Sequence, residues 1–298
     1  MTAPARAAVR PGLVVVDKAG GMTSHDVVAR VRRLVGTRKV GHAGTLDPMA
    51  TGVLVLGVDR ATRLLGHLML TDKGYDATIR LGVATTTDDA EGEVTATTSA
   101  VGLDEATVRA VLGEFVGDLQ QVPTAVSAIK VDGKRAYQRV RDGEQVELQP
   151  RAVTVHELVV HEVRHEGDTV DVDVSLRCTS GTYVRAIARD AGARLGVGGH
   201  LTALRRTAVG PYGLDVARTL DQLADDVVAG GVVLPIAEAA RAAFPARDLD
   251  EQAAADVRVG RSLDLELAGT TAVFAPSGEF LALYEPRGPV ARPVAVFV

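Results

Sequence analysis

A long alternating segment, residues 152–178, constrains the fold more than any other part of the sequence. Its apolar residues recur at alternate positions on both sides of Gly167-Asp168, which is the period of a half-buried β-strand. The pattern predicts a β-hairpin that turns at Gly167-Asp168. Tyr75 to Leu81 alternates in the same way and predicts another strand. Because hairpins are frequent and helices fall irregularly between them, the sequence predicts an α+β fold with a mixed, largely antiparallel sheet.

Helices are predicted from apolar spacing and from capping residues. Ser24 is a good N-cap residue, and the valines that follow it are spaced as on one face of a helix. Asp104 likewise precedes a segment with a helical apolar stripe. Further predicted elements are strands over Leu13–Val16, Gly52–Val58 and His200–Val209, and helices over 60–70 and Thr182–Leu195.

The length of 298 residues allows one large domain together with a small one. Hydrophobic residues make up 46% and charged residues 24%, which excludes a disordered or collagen-like chain. We expect a flexible N-terminus over residues 1–10 and a large domain over 11–240. A small terminal β module is expected over 241–298, where short apolar runs alternate with Gly and Pro turns.

Several classes of protein are excluded by what the chain lacks. It has no apolar stretch approaching 18 residues and nothing that resembles a signal peptide. The single cysteine, Cys178, excludes an internal disulfide framework and a zinc cluster built on cysteines, and it fits a reducing, cytoplasmic compartment. We expect Cys178 to be a buried strand residue. Neither a dinucleotide fingerprint nor a Walker A motif is present.

One motif suggests a metal but has the wrong surroundings. His161-Glu162-Val163-Arg164-His165 matches the H-E-x-x-H pattern of metalloproteases, which grips zinc only on a helix. Here the segment belongs to the predicted hairpin. In a strand the two histidines would lie about 13 Å apart, too far to share one ion. A zinc hydrolase is therefore a poorly supported alternative, and we expect no metal and no other cofactor.

The formal net charge of −5 conceals an uneven distribution of basic residues. Three separated segments are net positive: residues 1–75, residues 125–151 and residues 177–210. If the fold brings them together, they form one positive face on an acidic body, as expected of a surface that binds phosphates. The alternative is that they are ordinary solvated faces of helices.

The loop from Gly41 to Gly52, with the sequence GHAGTLDPMATG, is the most informative part of the chain. Pro48 forces Asp47 away from helical geometry, and the glycines permit tight turns and the close approach of another backbone. An acidic residue in a loop just after a basic helix is unusual for simple phosphate binding. The residues alone leave two interpretations open, an Asp-Pro turn and an active site.

This loop resembles the signature of the bacterial tRNA pseudouridine synthase B family. Further segments match motifs of that family, and they occur in the same order along the chain. The resemblance covers about residues 12–210 and, more weakly, the C-terminal module. The matching segments are Val16–Ser24, Lys73–Tyr75, Val126–Tyr137, Ser180–Arg185 and Leu204–Arg206.

The resemblance implies the pseudouridine synthase fold with a small, PUA-like C-terminal module that binds RNA. The implied reaction is the isomerisation of uridine to pseudouridine at position 55, in the T-loop of tRNA, after the base has been flipped out. No cofactor is required, because the reaction has no redox change. The expected partner is the T-stem-loop of tRNA, with no membrane, no obligatory protein partner and a monomeric protein. A tRNA-folding chaperone of the same fold, with catalysis secondary, is the alternative.

The resemblance also implies roles for individual residues. Asp47 would be the catalytic carboxylate that assists cleavage and re-formation of the glycosidic bond, and Arg185 the counter-charge that keeps it ionised. Tyr75 would stack on the flipped uracil, and Tyr183 would move a proton in the final steps. The implied substrate-binding residues are His42, which fills the space left by the base, Leu204, which packs against the base, and Lys18 and Arg63.

Overall fold

The structure is a computed structural model and describes residues 11–124, 130–131, 134–135, 148–229 and 233–298. The predicted flexible segment 1–10 and most of the block Val126–Tyr137 lie outside the described residues. The strands are β1 Gly12–Lys18, β2 Val40–His42, β3 Thr51–Val58, β4 Lys73–Leu81, β5 Val83–Thr85, β6 Val94–Thr97, β7 Gly117–Gln121, β8 Lys130–Val131, β9 Lys134–Arg135, β10 Arg151–Glu166, β11 Thr169–Cys178, β12 Gly199–Val209, β13 Tyr212–Gly213, β14 Leu234–Pro235, β15 Ala246–Asp248, β16 Thr271–Phe274, β17 Phe280–Arg287 and β18 Val290–Val296.

Helices are fewer and lie mainly against the large sheet. They are α1 Ser24–Val35, a 3-10 helix Asp59–Leu64, α2 Leu65–Leu68, α3 Glu105–Gly113, α4 Val184–Arg194, α5 Leu220–Ala229, α6 Ile236–Ala243 and α7 Glu251–Arg258. The single helix predicted over 60–70 is thus a 3-10 turn followed by one α turn. No helix among the described residues is long and apolar enough to cross a membrane.

A mixed, mostly antiparallel sheet forms the body of the protein, as predicted. Its main path runs β14-β1-β3-β12-β4-β11-β10-β7, with β2 paired to β3 and β13 paired to β12. The predicted hairpin is confirmed as β10 and β11, which pair antiparallel. β3 and β12 pair in parallel, so chain segments far apart in sequence lie side by side at the middle of the sheet.

β1 and β3 are covered on both faces, which explains why their sequences are continuous apolar runs. Val14, Val16 and Leu54 pack with α1 and α5. Leu13 and Val53 point the other way and pack with the 3-10 helix, with α6 and with the C-terminal module. The apolar runs predicted as strands in this part of the chain are therefore confirmed as the centre of the core.

β4 and β11 are covered by apolar packing on one face, which explains their alternation. Ile79 and Val172, opposite each other in the ladder, are fully buried under α3 and α4. On the other face Arg80 forms a bidentate ion pair with Asp171, with contacts of 2.7 and 2.6 Å. Cys178, at the end of β11, is fully buried, as predicted.

The N-cap of α1 differs from the sequence prediction. Thr23, not Ser24, is the cap: its hydroxyl accepts from Asp26 N–H, and the Asp26 carboxylate accepts from Thr23 N–H. This reciprocal capping box satisfies two backbone donors, whereas a cap at Ser24 would satisfy one. Ser24 is left free for another contact described below. The cap predicted at Asp104 is confirmed at the start of α3.

The C-terminal module is a four-stranded sheet in the order β15-β16-β17-β18. The rings of Phe274, Phe280 and Phe297 pack at tilted angles, with centroid distances of 5.4 and 4.7 Å, and share one core with β1 and β3. Arg60 and Arg63, from the 3-10 helix, donate to the carbonyls of Phe297 and Val296. The module is therefore packed onto the body, and the domain boundary at about residue 240 stays a prediction.

Candidate active site

The loop between β2 and β3 carries Asp47, and its backbone is fixed on both sides of that residue. Ser24, buried at the start of α1, accepts from Leu46 N–H at 2.9 Å and donates to the Leu46 carbonyl at 3.1 Å. On the other side Lys18 donates to the Pro48 carbonyl at 3.0 Å. Because both neighbours of Asp47 are held, the backbone sets where its carboxylate points.

Lys18 has a different environment from the one expected of a substrate-binding residue. It is fully buried, and its ammonium donates to the carbonyls of Ala19, Met22 and Pro48 at 2.8–3.0 Å. Burial lowers the pKa of Lys18 to about 8, against the opposing pull of Asp47. All three N–H donors are used, so in this structure Lys18 shapes the loop and has no donor left for RNA.

Asp47 and Arg185 form a bidentate ion pair. Arg185 Nε lies 3.0 Å from Asp47 Oδ2, and Nη2 donates to Oδ1 at 3.2 Å. The Arg185 side chain is 6% exposed but that of Asp47 is 32% exposed. The guanidinium is therefore inside the protein, and the carboxylate reaches the surface of a cleft. The structure thus brings together Asp47 and Arg185, the two residues to which the resemblance assigns the carboxylate and its counter-charge.

A second carboxylate, which the sequence analysis missed, touches the same arginine. Asp89 Oδ2 lies 3.3 Å from Arg185 Nη1, and that nitrogen also donates to the Thr87 carbonyl at 2.9 Å. Asp89 is 3% exposed and accepts from Glu91 N–H at 3.1 Å. Nothing in the sequence around Asp89 distinguishes it from its acidic neighbours Asp88 and Glu91.

The ionisation of Asp47 is set by opposing effects. Burial raises the pKa of its carboxyl and is the largest influence; the charge of Arg185 lowers it, the nearby Asp89 raises it, and Arg206 lowers it. The net result is a pKa above the ordinary value for an aspartate. The guanidinium groups of Arg185 and Arg206 thus oppose the rise in the pKa of Asp47 that its removal from water causes.

The carboxylate opens into a cleft of about 410 Å³. Tyr75 and Leu204 are both buried and form apolar parts of its wall. Burial raises the pKa of the Tyr75 phenol, so that ring is neutral. This size suits one nucleoside-sized ligand. The side chains around the cleft are Thr45, Leu46, Asp47, Met69, Lys73, Tyr75, Arg151, Thr179, Thr182, Tyr183, Val184, Arg185, Leu204 and Arg206.

Tyr183 lies at the other side of the cleft, at the N-cap of α4. Its backbone is held by the Gln121 amide, which accepts from Tyr183 N–H at 2.7 Å and donates to the Tyr183 carbonyl at 3.0 Å. The turn before it needs Gly181, whose φ of +87° disfavours any residue with a Cβ. Tyr183 and Arg185 therefore enter the cleft from one short, well-fixed segment.

The structure does not bring His42 or Arg63 to the wall of this cleft. His42 lies in β2, and its ring meets that of His25 edge-to-face with centroids 5.6 Å apart. Arg63 Nη1 donates to the Val296 carbonyl at 2.6 Å, in the C-terminal module. An arginine at this position thus joins the module to the body, and its predicted contact with substrate stays a prediction.

The H-E-x-x-H segment is confirmed as a strand. His161 and His165 lie in β10, and His161 Nε2 is 2.8 Å from Ser175 Oγ on the neighbouring strand. Among the described residues no three His, Cys, Asp or Glu side chains are grouped so that they could hold a metal ion.

Solved structures with this fold define the class of protein. A Cbf5-Nop10-Gar1 complex contains a chain that matches with a TM-score of 0.73 at 26% identity. An H/ACA RNP bound to a substrate RNA containing 2'-deoxyuridine contains one that matches with a TM-score of 0.71 at 25% identity. Each match covers 96% of this chain and 85% of the other. The protein therefore has the pseudouridine synthase fold.

Comparison of sequences narrows the class to one family. A model described as "TruB family pseudouridylate synthase (N terminal domain)" matches residues 32–184. "tRNA pseudouridylate synthase B C-terminal domain" matches 185–234, and "tRNA Pseudouridine synthase II, C terminal" matches 244–298.

Full-length relatives agree with these matches. Proteins called tRNA pseudouridine synthase B in Nocardia farcinica, Cutibacterium acnes and Arthrobacter sp. are 60%, 58% and 56% identical to this chain. The matches cover 96%, 93% and 96% of this chain and 92%, 94% and 96% of those proteins. The chain belongs to the TruB family of pseudouridylate synthases.

Proposed function

We propose that this protein isomerises uridine 55, in the T-loop of tRNA, to pseudouridine. The observation that carries the proposal is the Asp47–Arg185 ion pair, which presents a carboxylate at the surface of a nucleoside-sized cleft. Membership of the TruB family and the names of its relatives support tRNA as the substrate.

The reaction needs a carboxylate more than it needs a cofactor. The N1–C1′ bond breaks, the uracil turns, and C5 bonds to C1′; C5 then loses its proton while N1 gains one, so no electrons enter or leave. Positive charge develops on the sugar as the base departs, and an ionised Asp47 stabilises it. Three routes fit this carboxylate: attack on the sugar, attack on the base, or assistance to a glycal-type intermediate.

The other residues of the cleft have complementary roles in this proposal. Tyr75 and Leu204 hold the uracil between an aromatic ring and an aliphatic side chain while it turns. Tyr183 carries the proton released from C5 in the final step. His42, outside the cleft wall but close to the loop of Asp47, would fill the gap left in the RNA by the extruded base.

Positive charge around the cleft fits a folded RNA. Each of the three basic segments supplies at least one cation to its wall: Lys73, Arg151, and the pair Arg185 and Arg206. Attraction of the phosphates helps to offset the few kcal/mol needed to extrude a base from its stack. We propose further that the protein acts as a monomer without an obligatory protein partner, in the cytoplasm where tRNA matures.

The direct test is incubation of the purified protein with a synthetic T-stem-loop, followed by mapping of pseudouridine. We expect stoichiometric conversion at the position of uridine 55, and no conversion with Asp47→Asn. Folded protein that leaves every uridine unchanged would refute the proposal. If Asp47→Asn still accelerates refolding of tRNA, a chaperone activity accompanies catalysis; if the wild type only refolds tRNA, the chaperone is the function.

A further inference from the structure

Arg206 is the largest fully buried side chain in the described part of the protein, and it lies beside the cleft. Its guanidinium contacts backbone carbonyls: Nε donates to Val53 at 2.7 Å, Nη1 to Thr45 at 3.3 Å and Nη2 to Gly44 at 3.3 Å. Within the described residues it has no ion-pair partner. A buried charge without a carboxylate is costly, so its presence calls for an explanation beyond packing.

The backbone of Arg206 is fixed as firmly as its side chain. In the sheet it lies opposite Tyr75 of β4 and beside Gly52 of β3. Gly52 has a φ of +98°, and a Cβ there would lie 2.2 Å from the Arg206 carbonyl oxygen. β3 and β12 therefore approach so closely that the backbone of Arg206, from which the guanidinium extends, is held in place.

The contacts of Arg206 join two parts of the cleft. Its carbonyl partners Gly44 and Thr45 lead directly to Asp47, and Arg206 itself lies opposite Tyr75 in the ladder of β12 and β4. One residue thus connects the loop of the catalytic carboxylate, through its side chain, with the strand of the stacking ring, through its backbone. A planar guanidinium carries five N–H donors in a fixed fork, whereas an ammonium has three donors on one atom at the end of a flexible stem.

We propose that Arg206 is a positioning residue that fixes the loop of Asp47 relative to Tyr75, so that the Asp47 carboxylate and the Tyr75 ring contact the same nucleotide. This inference rests on the proposed function, because it concerns the geometry of that reaction. Arg206 has a second effect through charge: it lowers the pKa of Asp47, against the larger effect of burial. Two variants separate position from charge.

Arg206→Lys keeps the charge and loses the spanning geometry, whereas Arg206→Met keeps the length and loses both. Arg205 provides a matched control on the same strand. It is not part of the cleft wall; it pairs with Asp17 through contacts of 3.0 and 2.7 Å and donates to Thr51 Oγ1 at 3.3 Å. Arg205→Lys therefore repeats the same chemical change at the neighbouring position, outside the cleft.

The experiment measures kcat, KM and the pH dependence of kcat on the T-stem-loop for all three variants. For Arg206→Lys we expect kcat to fall about 100-fold, the effect of a displacement of about 1 Å at a reacting group, with KM within threefold and the acid limb unmoved. For Arg206→Met the acid limb should also move to higher pH. Arg205→Lys should stay within threefold of the wild type.

A readout independent of turnover is hydrogen exchange in the segment 44–47, which should be faster in Arg206→Lys and unchanged in Arg205→Lys. Wild-type kcat in Arg206→Lys would overturn the proposal, and so would an effect confined to KM. Loss of the whole fold in Arg206→Lys would also overturn it, because Arg206 would then serve the fold and not the site. If the wild type itself makes no pseudouridine, it is the proposed function that fails.

Discussion

Replacement of Arg185 by lysine tests the central ion pair most directly. Within the part of the chain that the structure describes, its guanidinium nitrogens contact Asp47 twice, Asp89 and the Thr87 carbonyl. An ammonium at the same depth keeps the charge but reaches one or two of these partners. The change therefore isolates geometry from charge.

The magnitude follows from the contacts that are lost. A hydrogen bond to a charged group contributes about 1.5–3 kcal/mol, so the loss of two amounts to about 3–6 kcal/mol, shared between the stability of the fold and the placement of Asp47. We expect the free energy of unfolding to drop by about 3 kcal/mol and kcat to fall at least 100-fold. The two assays are denaturant unfolding followed by circular dichroism and single-turnover formation of pseudouridine.

Arg189 supplies the control, one turn further along α4. It pairs with Asp88 at 3.2 Å and Asp190 at 2.8 Å, but its side chain is 30% exposed. Partly solvated ion pairs contribute about 1 kcal/mol or less, so Arg189→Lys should cost little stability and little activity. Arg185→Lys with unchanged stability and kcat would refute the reasoning, since the bidentate contact between Arg185 and Asp47 would then have no effect on either.

Three further outcomes are expected. Because catalysis needs ionised Asp47 and burial raises its pKa, kcat should fall as the pH drops through that raised value, above the usual range of about 4; a rate constant flat down to pH 4 would contradict this. Phe297→Ala should lower the free energy of unfolding by about 3–5 kcal/mol, while Val298→Ala, 42% exposed, should change it little; equal effects on the melting temperature would argue against the shared core. Affinity for tRNA, measured by filter retention, should fall steeply between about 50 and 200 mM salt. An affinity that does not change with salt concentration would exclude the phosphate contacts.

Most of the fold was predictable because burial leaves a periodic signature. The alternation in β4, β10 and β11 reflects a sheet with one covered face, and the continuous runs in β1 and β3 reflect two covered faces. Local chemistry misled at one cap, where Thr23 and Ser24 are equally good candidates by type. The capping box with Asp26 three residues after Thr23 was the signal that decides between them.

The site was predictable where a motif carries it and not where contacts are long-range. Asp47 and Arg185 stand in recognisable segments, and they meet as expected. Asp89 touches Arg185 from a loop almost 100 residues away, and no local pattern announces that contact. The resemblance assigned Lys18 to substrate binding; its burial depends on three carbonyls that only the folded loop brings together.

The hydrogen bonds that Ser24, Lys18 and Arg206 make to backbone carbonyls around Asp47 have a consequence for when activity appears during folding. Ser24 and Lys18 hold carbonyls 22 and 30 residues away along the chain, but Arg206 holds carbonyls 161 and 162 residues away. A chain in which β12 has not yet joined the sheet therefore contains Asp47 but lacks the contacts of Arg206 that hold the loop of Asp47 in position. Competence for catalysis should emerge late and all at once, as one of the last cooperative events on the route to the native state.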